Sequence, residues 1–175
     1  LNQSNIKLAI AAGMALGTVA LSVPAYATEG TANLSVSASI GTACTITTTN
    51  LAFGAYDAVV ANASTALVAS GGVTSTCSVG SSGNIKMGQD SNANADSSDA
   101  TPLRRMVAAG DANSFLNYGV FTDTDRNTAW ENATGVPYNG TGLAQALVVY
   151  GSVDPGQTSA VVGSYTDTIT VAINY

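Results

Sequence analysis

Apolar and polar residues alternate along the last stretch of the chain, GSYTDTITVAINY. On an extended backbone, one face of residues 164–175 carries Tyr165, Asp167, Ile169, Val171, Ile173 and Tyr175. The other face carries small and hydroxyl-bearing residues. A period of two with many Ile, Val and Thr residues predicts a β-strand over 164–175. An unpaired strand edge exposes backbone hydrogen-bonding groups, so the pattern raises the question of what pairs with this strand on its outer side.

A second alternating segment, TANLSVSASI, spans residues 31–40 and predicts another strand. Its apolar positions are Ala32, Leu34, Val36, Ala38 and Ile40. This strand could fold back and pair with the final strand of its own domain, or it could leave the domain and fill a groove in another copy. Residues 41–43 are the only connection to Cys44. A disulfide at Cys44 would leave little chain for a reversal, which favours the second arrangement and leaves both open.

The rest of the chain predicts an all-β sandwich, because short strand-like runs alternate with Gly-, Ser- and Asn-rich turns. Helical patterns are nearly absent after residue 27, and no internal repeat or second domain is visible. The polar segment 90–101 is predicted to be an exposed and mobile loop. The predicted strands are 31–40, 43–48, 65–69, 72–79, 84–89, 103–108, 114–122, 143–152 and 164–175.

Residues 1–27 have the pattern of a secretory signal peptide. Lys7 is followed by an apolar run over 8–23, a break at Pro24 and an A-x-A end at 25–27. A transmembrane span is the alternative, but the run is short for a span and no basic flank follows it. Removal of 27 of the 175 residues leaves 148, enough for one domain with a sizeable core.

The chain that remains is acidic and carries little charge. Loss of Lys7 leaves four basic residues against eleven acidic ones, a net charge near −7. Four basic residues are too few for nucleic-acid binding, and the acidic balance disfavours docking on anionic lipid. The two cysteines, Cys44 and Cys77, favour one disulfide in an oxidising compartment, with two separate buried thiols as the alternative.

Catalytic and metal-binding patterns are weak. The chain contains no His, which removes Ser–His and Cys–His pairs and imidazole metal sites. Two segments begin like calcium loops, at Asp123 and at Asp90, but both lack the Gly at the sixth position and the Glu at the twelfth. They are better explained as turns stabilised by Asx side chains. We therefore expect no enzyme activity, no metal and no cofactor.

Several motifs taken together resemble the subunits of archaic chaperone–usher pili, also called the spore coat protein U-like family. Each motif alone is weak, but their order and the cysteine placement are specific, and together they extend over nearly all of the chain after residue 27. The matching motifs are CTI at 44–46, LAFGAYD at 51–57, GVTSTC at 72–77, LNYGVFTD at 116–123 with Trp130, YGSV at 150–153 with Gln157, and GSYTDTITV at 163–171.

The resemblance implies an immunoglobulin-like β-sandwich that lacks its last strand and is completed in trans by a donor strand. Residues 28–42 would be the donor extension and 43–175 the pilin domain. A periplasmic pilus chaperone would lend the missing strand until the extension of another copy replaces it. The donor residues would be Ala32, Leu34, Val36, Ala38 and Ile40, and the acceptor groove would be bordered by Tyr165, Asp167, Ile169, Val171, Ile173 and Tyr175.

The same resemblance implies a Cys44–Cys77 disulfide between the first two strands of the domain, and places five aromatic residues in or near the core. It also implies an outer-membrane usher, tip or minor pilins as further partners, and a surface fimbrium that serves adhesion and biofilm formation. The low charge favours the major subunit. The aromatic residues are Phe53, Tyr118, Phe121, Trp130 and Tyr165.

Two other functions stay open. A tip or minor adhesive subunit is one, although family tip adhesins carry an extra receptor-binding domain and lack a donor strand such as 31–40. A chain of 148 residues would have no room for that domain. The other is a self-contained monomeric coat protein with residues 31–40 folded onto its own domain.

Overall fold

The computed structural model describes residues 27–175, and these hold nine β-strands and no helix. The described residues contain no helix of the length and apolar character needed to cross a membrane. The strands are β1 (Cys44–Thr49), β2 (Leu67–Cys77), β3 (Ser82–Met87), β4 (Arg104–Ala108), β5 (Asp111–Phe121), β6 (Val136–Asn139), β7 (Ala144–Val153), β8 (Tyr165–Thr166) and β9 (Val171–Asn174).

The strands form two curled antiparallel sheets, which confirms the predicted all-β sandwich. The larger sheet has the order β1-β2-β7-β5-β4-β8, and the smaller sheet has the order β6-β3-β9. Strands that are neighbours in a sheet are often not neighbours in the chain, as in β2 and β7. Crossed connections of this kind are usual in immunoglobulin-like sandwiches.

The core lies where the inner faces of the two sheets meet. Trp130 lies in this core with 1% of its surface exposed. Its indole N–H donates to the Ile85 carbonyl at 2.9 Å. A hydrogen-bonded indole can be buried without the cost of an unpaired polar group. The residues of the core are Val73, Cys77, Ile85, Met87, Leu116, Tyr118, Val120, Trp130, Tyr138, Val149 and Val153.

The two predicted strands 65–69 and 72–79 are one strand, β2, which runs through the Gly71–Gly72 pair that suggested a turn. A Cβ atom at Gly71 would lie 2.8 Å from the Thr49 carbonyl oxygen. The glycine therefore allows a close approach of two backbones within the sheet instead of a reversal of the chain.

Strand β6 was not predicted. It contains Pro137, which cannot donate a hydrogen bond and argues against a central strand. The structure places β6 at the edge of the smaller sheet, where it pairs with β3 on one side only. An edge position needs fewer backbone donors, so proline is tolerated there.

The prediction of one continuous strand over 164–175 is wrong. β8 pairs with β4 in the larger sheet, and β9 pairs with β3 in the smaller sheet. Residues 167–170 cross between the sheets in extended form without strand pairing. The alternation of faces nevertheless holds, since odd-numbered residues from Tyr165 to Ile173 are half-buried and even-numbered ones are exposed.

Residues 27–43 form no strand in this structure. The apolar side chains of Leu34, Val36 and Ile40 are 88%, 84% and 94% exposed. The strand predicted for 31–40 is therefore absent from this single chain, because a strand exists only with a pairing partner. The predicted signal peptide lies outside the described residues except for Ala27.

Candidate functional site

A cleft of about 1140 Å³ opens into the core of the sandwich. One wall is the end of β1 and the chain that follows it, residues 48–59, and the other wall is the segment 157–169 together with Val171. Its floor consists of residues that belong to the core cluster, so apolar interior reaches the surface along this opening. The floor residues are Val73, Met87, Leu116, Tyr118, Val120, Val149 and Val153.

The first wall is held in place by packing on β7. Leu51 and Phe53 lie over Gly151, where a Cβ atom would come within 2.6 Å of Leu51 and 2.8 Å of Phe53. Further along this wall, the Tyr56 hydroxyl donates to the Asp154 carbonyl at 2.7 Å and accepts from the Gln157 backbone N–H at 3.1 Å. These contacts attach an otherwise irregular segment to the sheet.

The second wall is held by side chains that reach across to β5. The hydroxyls of Tyr165 and Ser114 are hydrogen-bonded at 2.7 Å, and the Ser114 oxygen accepts the Val161 backbone N–H at 3.0 Å. The Gln157 side chain accepts from the Asn117 backbone N–H at 2.7 Å and donates to the Asn117 carbonyl at 2.9 Å. Both walls are thus fixed independently of any occupant.

The final strand is an open edge beside this cleft. β9 pairs with β3 on one side, and no strand within residues 27–175 pairs with its other side. Of the six residues predicted to border a groove, Tyr165, Asp167, Ile169 and Val171 line the cleft. Ile173 packs against the core beyond it, and Tyr175 is 63% exposed.

A polar cluster lies at the cleft where the chain crosses between the sheets. The Tyr118 hydroxyl donates to Asp167 Oδ2 at 2.5 Å, and the Asn92 side chain donates to Asp167 Oδ1 at 2.9 Å. Burial, together with the hydrogen bond to Asp167, raises the pKa of Tyr118, so its hydroxyl stays protonated. Burial, opposed in part by backbone hydrogen bonds, raises the pKa of the neighbouring Asp90 to about 6.

Arg104 supplies the positive charge behind this cluster. It is 2% exposed, and its guanidinium donates to the carbonyls of Met87, Gly88 and Trp130 at distances from 2.7 to 3.2 Å. Burial lowers the pKa of Arg104, while the negative charges of Asp90 and Asp167 act in the opposite direction. The sequence does not reveal this role, because an arginine in a strand is normally a surface residue.

The disulfide between Cys44 and Cys77 is present. These residues are directly opposed in the β1–β2 pair, which confirms that the bond joins the first two strands of the domain. The neighbouring Ser78 holds the chain just before β1. Its hydroxyl accepts from the Ala43 N–H at 3.1 Å, and its backbone N–H donates to the Ala43 carbonyl at 2.9 Å.

The calcium-like segments are turns, as predicted. The Asp123 carboxylate accepts the backbone N–H groups of Asn127 and Thr128 at 3.1 and 2.7 Å, which lowers its pKa. The Asp90 carboxylate accepts the Asn92 N–H at 2.7 Å. Within the part of the chain that the structure describes, no group of three or more His, Cys, Asp or Glu side chains is arranged to hold a metal ion.

The predicted core aromatics fall into three groups. Tyr118 and Trp130 are buried, and Phe53 and Tyr165 pack against the core from the two walls of the cleft. Phe121 is half-buried on the opposite face of β5, with its ring over Gly119, and lies outside the core cluster. Alternation along β5 gives the reason, because Phe121 is an odd number of residues from the buried Tyr118.

Comparisons with known proteins identify relatives over most of the chain. A family model described as Spore Coat Protein U domain matches residues 30–172. Protein U of Myxococcus xanthus is 38% identical over 178 residues, which cover 97% of this chain and 98% of Protein U.

A solved structure shares the fold. It is a pre-assembly complex of the chaperone CsuC with the tip adhesion subunit CsuE, from the archaic chaperone–usher Csu pili of Acinetobacter baumannii. The match has a TM-score of 0.52 and 19% sequence identity, and it covers 78% of this chain. This chain spans 40% of the length of the matched chain.

Proposed function

The chain belongs to the spore coat protein U domain family, and we propose that it is a structural subunit of a chaperone–usher pilus, not an enzyme. In this proposal residues 31–40 of one copy enter the cleft of another copy and pair with the open edge of β9. The signal peptide directs the chain to the periplasm, and the assembled fibre lies on the cell surface.

The observation that carries the proposal is the open cleft beside an unpaired strand edge. Exposed core and exposed strand edge are together an aggregation hazard for a protein that acts alone. An added strand satisfies the backbone groups of β9 and covers the apolar floor with its side chains. Both walls of the cleft are already fixed, so an incoming strand meets a formed site.

The segment 31–40 has the properties that this site requires. Its apolar side chains all lie on one face of an extended chain, and Leu34, Val36 and Ile40 are almost fully exposed. Burial of these three side chains contributes about 2 kcal/mol each, or about 6 kcal/mol in total. Ala32 and Ala38 contribute less and fit shallower positions. The interface joins two different surfaces, so repetition produces a fibre and not a closed ring.

A subunit of this kind needs several partners. A periplasmic chaperone fills the cleft before assembly. An outer-membrane usher passes the growing fibre to the cell surface. Tip or minor subunits are the other components of the fibre. CsuE, in the complex that shares the fold, is bound to its chaperone. The low charge of the chain is compatible with the close packing of many identical copies in a fibre, as expected of a major subunit. Adhesion and biofilm formation are the proposed roles of the fibre.

A substitution in the donor segment tests the proposal. Val36→Asp places a charge on the face that enters the cleft, where it would be buried without a partner. We expect this variant to be exported and folded but to form no fibres in cells that express the chaperone and usher. Electron microscopy of shed fibres and the yield of periplasmic subunit give the two measurements.

Ser35→Asp is the matched control, because residue 35 lies on the opposite face of the same segment. The control variant should form fibres at the normal level. Normal fibres from Val36→Asp, or equal loss in both variants, would contradict the assignment of residues 31–40 as the donor strand.

A self-contained coat protein is the second candidate, favoured by the description of the matching family as a spore coat domain. Residues 31–40 would then cover the cleft of their own domain. The two candidates differ in the size of the purified chain, which is one monomer for the coat protein and a ladder of polymers or a chaperone complex for the pilus subunit.

A further inference from the structure

Apolar side chains are exposed at the end of the domain where residue 43 enters β1. Val79 is 78% exposed in the turn after β2, and Leu143 is 72% exposed just before β7. The two segments are joined, because the Gly142 N–H donates to the Cys77 carbonyl at 2.9 Å. A Cβ atom at Gly142 would lie 3.2 Å from the Val79 side chain. Val79 and Leu143 therefore form one small apolar surface, which we call the exit patch.

A second group of exposed apolar side chains lies on the two walls of the cleft. Val59 belongs to the first wall, and Val161 and Val162 belong to the second. All three are exposed, as is Val60. The turn that carries Val59 and Val60 is held by Asp57, whose carboxylate accepts both of their backbone N–H groups at 3.0 Å. We call the four valines the mouth patch.

The two patches lie at opposite ends of the domain. β2 and β7 run antiparallel along the larger sheet, and the exit patch lies where β2 ends and β7 begins. At the other end, Leu67 at the start of β2 is paired with Val153 at the end of β7. The segments that lead to the mouth patch are joined beyond this pair, where the Gly156 N–H donates to the Asn62 carbonyl at 2.8 Å.

The cleft is closed toward the exit patch and open at the mouth patch. Near the exit patch, the Tyr138 hydroxyl donates to Cys44 Sγ at 3.3 Å and thereby joins the two sheets, and β1 is in contact with β9. The cleft walls extend only to Thr48 and Val171 on this side. A strand that is attached to another folded domain must therefore leave the cleft at the mouth patch.

The connection between a donor segment and its own domain is short and is held next to the exit patch. The Ser78 hydroxyl lies 3.4 Å from the Gly41 carbonyl oxygen and 3.3 Å from the Ala43 carbonyl oxygen, and Ser78 directly precedes Val79. The four steps from residue 40 to residue 44 span at most about 14 Å even when fully extended. A copy whose residues 31–40 fill a neighbouring cleft therefore brings its exit patch close to the mouth patch of that neighbour.

We propose that the exit patch of one copy packs against the mouth patch of the copy that receives its donor strand. This proposal rests on the pilus function proposed above. The segments around both patches carry no charged residue, so two acidic subunits can meet there without repulsion between like charges. These segments are 76–81 and 140–144 at the exit patch, and 58–63 and 158–164 at the mouth patch.

The small size of the patches indicates when this contact forms. Six aliphatic side chains cover less than the about 1,000 Å² that an independent interface needs. The contact therefore does not join free subunits. It forms between copies that the donor strand already links, because the short connection gives the two patches a high effective concentration. Strand and patch together hold the neighbouring domains at two points, which restricts rotation about residues 41–43.

Cross-linking between introduced cysteines tests the contact in fibres of the full chain, made in cells that express the chaperone and usher. Val79→Cys/Val162→Cys places one thiol in each patch and changes only exposed side chains. A short bis-maleimide added to the shed fibres should join neighbouring copies, so that the denatured fibres give a covalent ladder on a gel.

Val148→Cys/Val162→Cys is the matched control, because Val148 is also an exposed valine but lies within β7, away from both patches. We expect at least about tenfold more ladder from the first variant than from the control. Equal ladders, or no ladder from either variant, would overturn the contact and leave the fibre in place. Absence of fibres from the unsubstituted chain would overturn the pilus function itself, and the contact with it.

Discussion

The Cys44–Cys77 disulfide fixes the end of the domain from which residues 31–40 extend. It joins directly opposed residues of β1 and β2, and the adjacent Ser78 holds Ala43 through its hydroxyl and its backbone. The connection between residue 40 and the domain therefore ends at a rigid point.

Removal of this disulfide should lower the stability of the domain and its yield in the periplasm. The bond closes a loop with a sequence separation of 33 residues, for which the chain-entropy relation predicts roughly 3–4 kcal/mol as an upper value. Chemical denaturation of the double variant Cys44→Ser/Cys77→Ser measures the loss without leaving a free thiol. An unchanged midpoint of denaturation would mean that sheet pairing alone holds β1 in place.

Individual side chains differ in how far the sequence reveals their role. The disulfide was predicted from the two cysteines, and the family resemblance placed Trp130 in or near the core; both predictions are confirmed. The role of Arg104 was not predicted, since its guanidinium is held by the carbonyls of Met87, Gly88 and Trp130, which come from separate parts of the chain. Such tertiary contacts leave no periodic signal in the sequence.

At the scale of elements, the final segment shows what an alternating pattern predicts and what it does not. The alternation correctly gave the faces of residues 165–173, because it depends only on which side of an extended chain is buried. It did not give the change of sheet at residues 167–170, because the identity of the pairing partner is set elsewhere. The same limit explains why β2 was divided at Gly71 and β6 was missed at Pro137.

The two faces of residues 167–170, between β8 and β9, give a sharp test of the cleft. Ile169 lines the cleft, whereas the Thr168 side chain is exposed on the other face. We expect Ile169→Asp to weaken binding of a peptide of residues 31–40 by at least tenfold, because burial of an unpaired carboxylate costs well over 1.4 kcal/mol. Thr168→Asp, the control, should bind normally in the same fluorescence titration. Equal affinities would place the peptide elsewhere on the domain.

At the scale of the whole molecule, the sandwich has an unpaired edge and a cleft to its core at the same place. Composition and strand pattern predicted the sandwich, but the cleft could be expected only from the family resemblance. Its walls come from segments about one hundred residues apart, and no local pattern records that a strand is missing between them. The resemblance identified the final strand as one border, whereas the wall at 48–59 became visible only in the structure.

A domain that is incomplete and accepts residues 31–40 from another molecule should depend on that segment for its stability. Thermal unfolding of a truncated chain of residues 41–175, with and without a peptide of residues 31–40, measures this dependence. A peptide with Val36 replaced by Asp is the control. The truncated chain should be marginally stable, and its melting temperature should rise by many degrees with the normal peptide but not with the control. A truncated chain that is already stable and indifferent to both peptides would mean that the sandwich is complete and accepts no strand from another molecule.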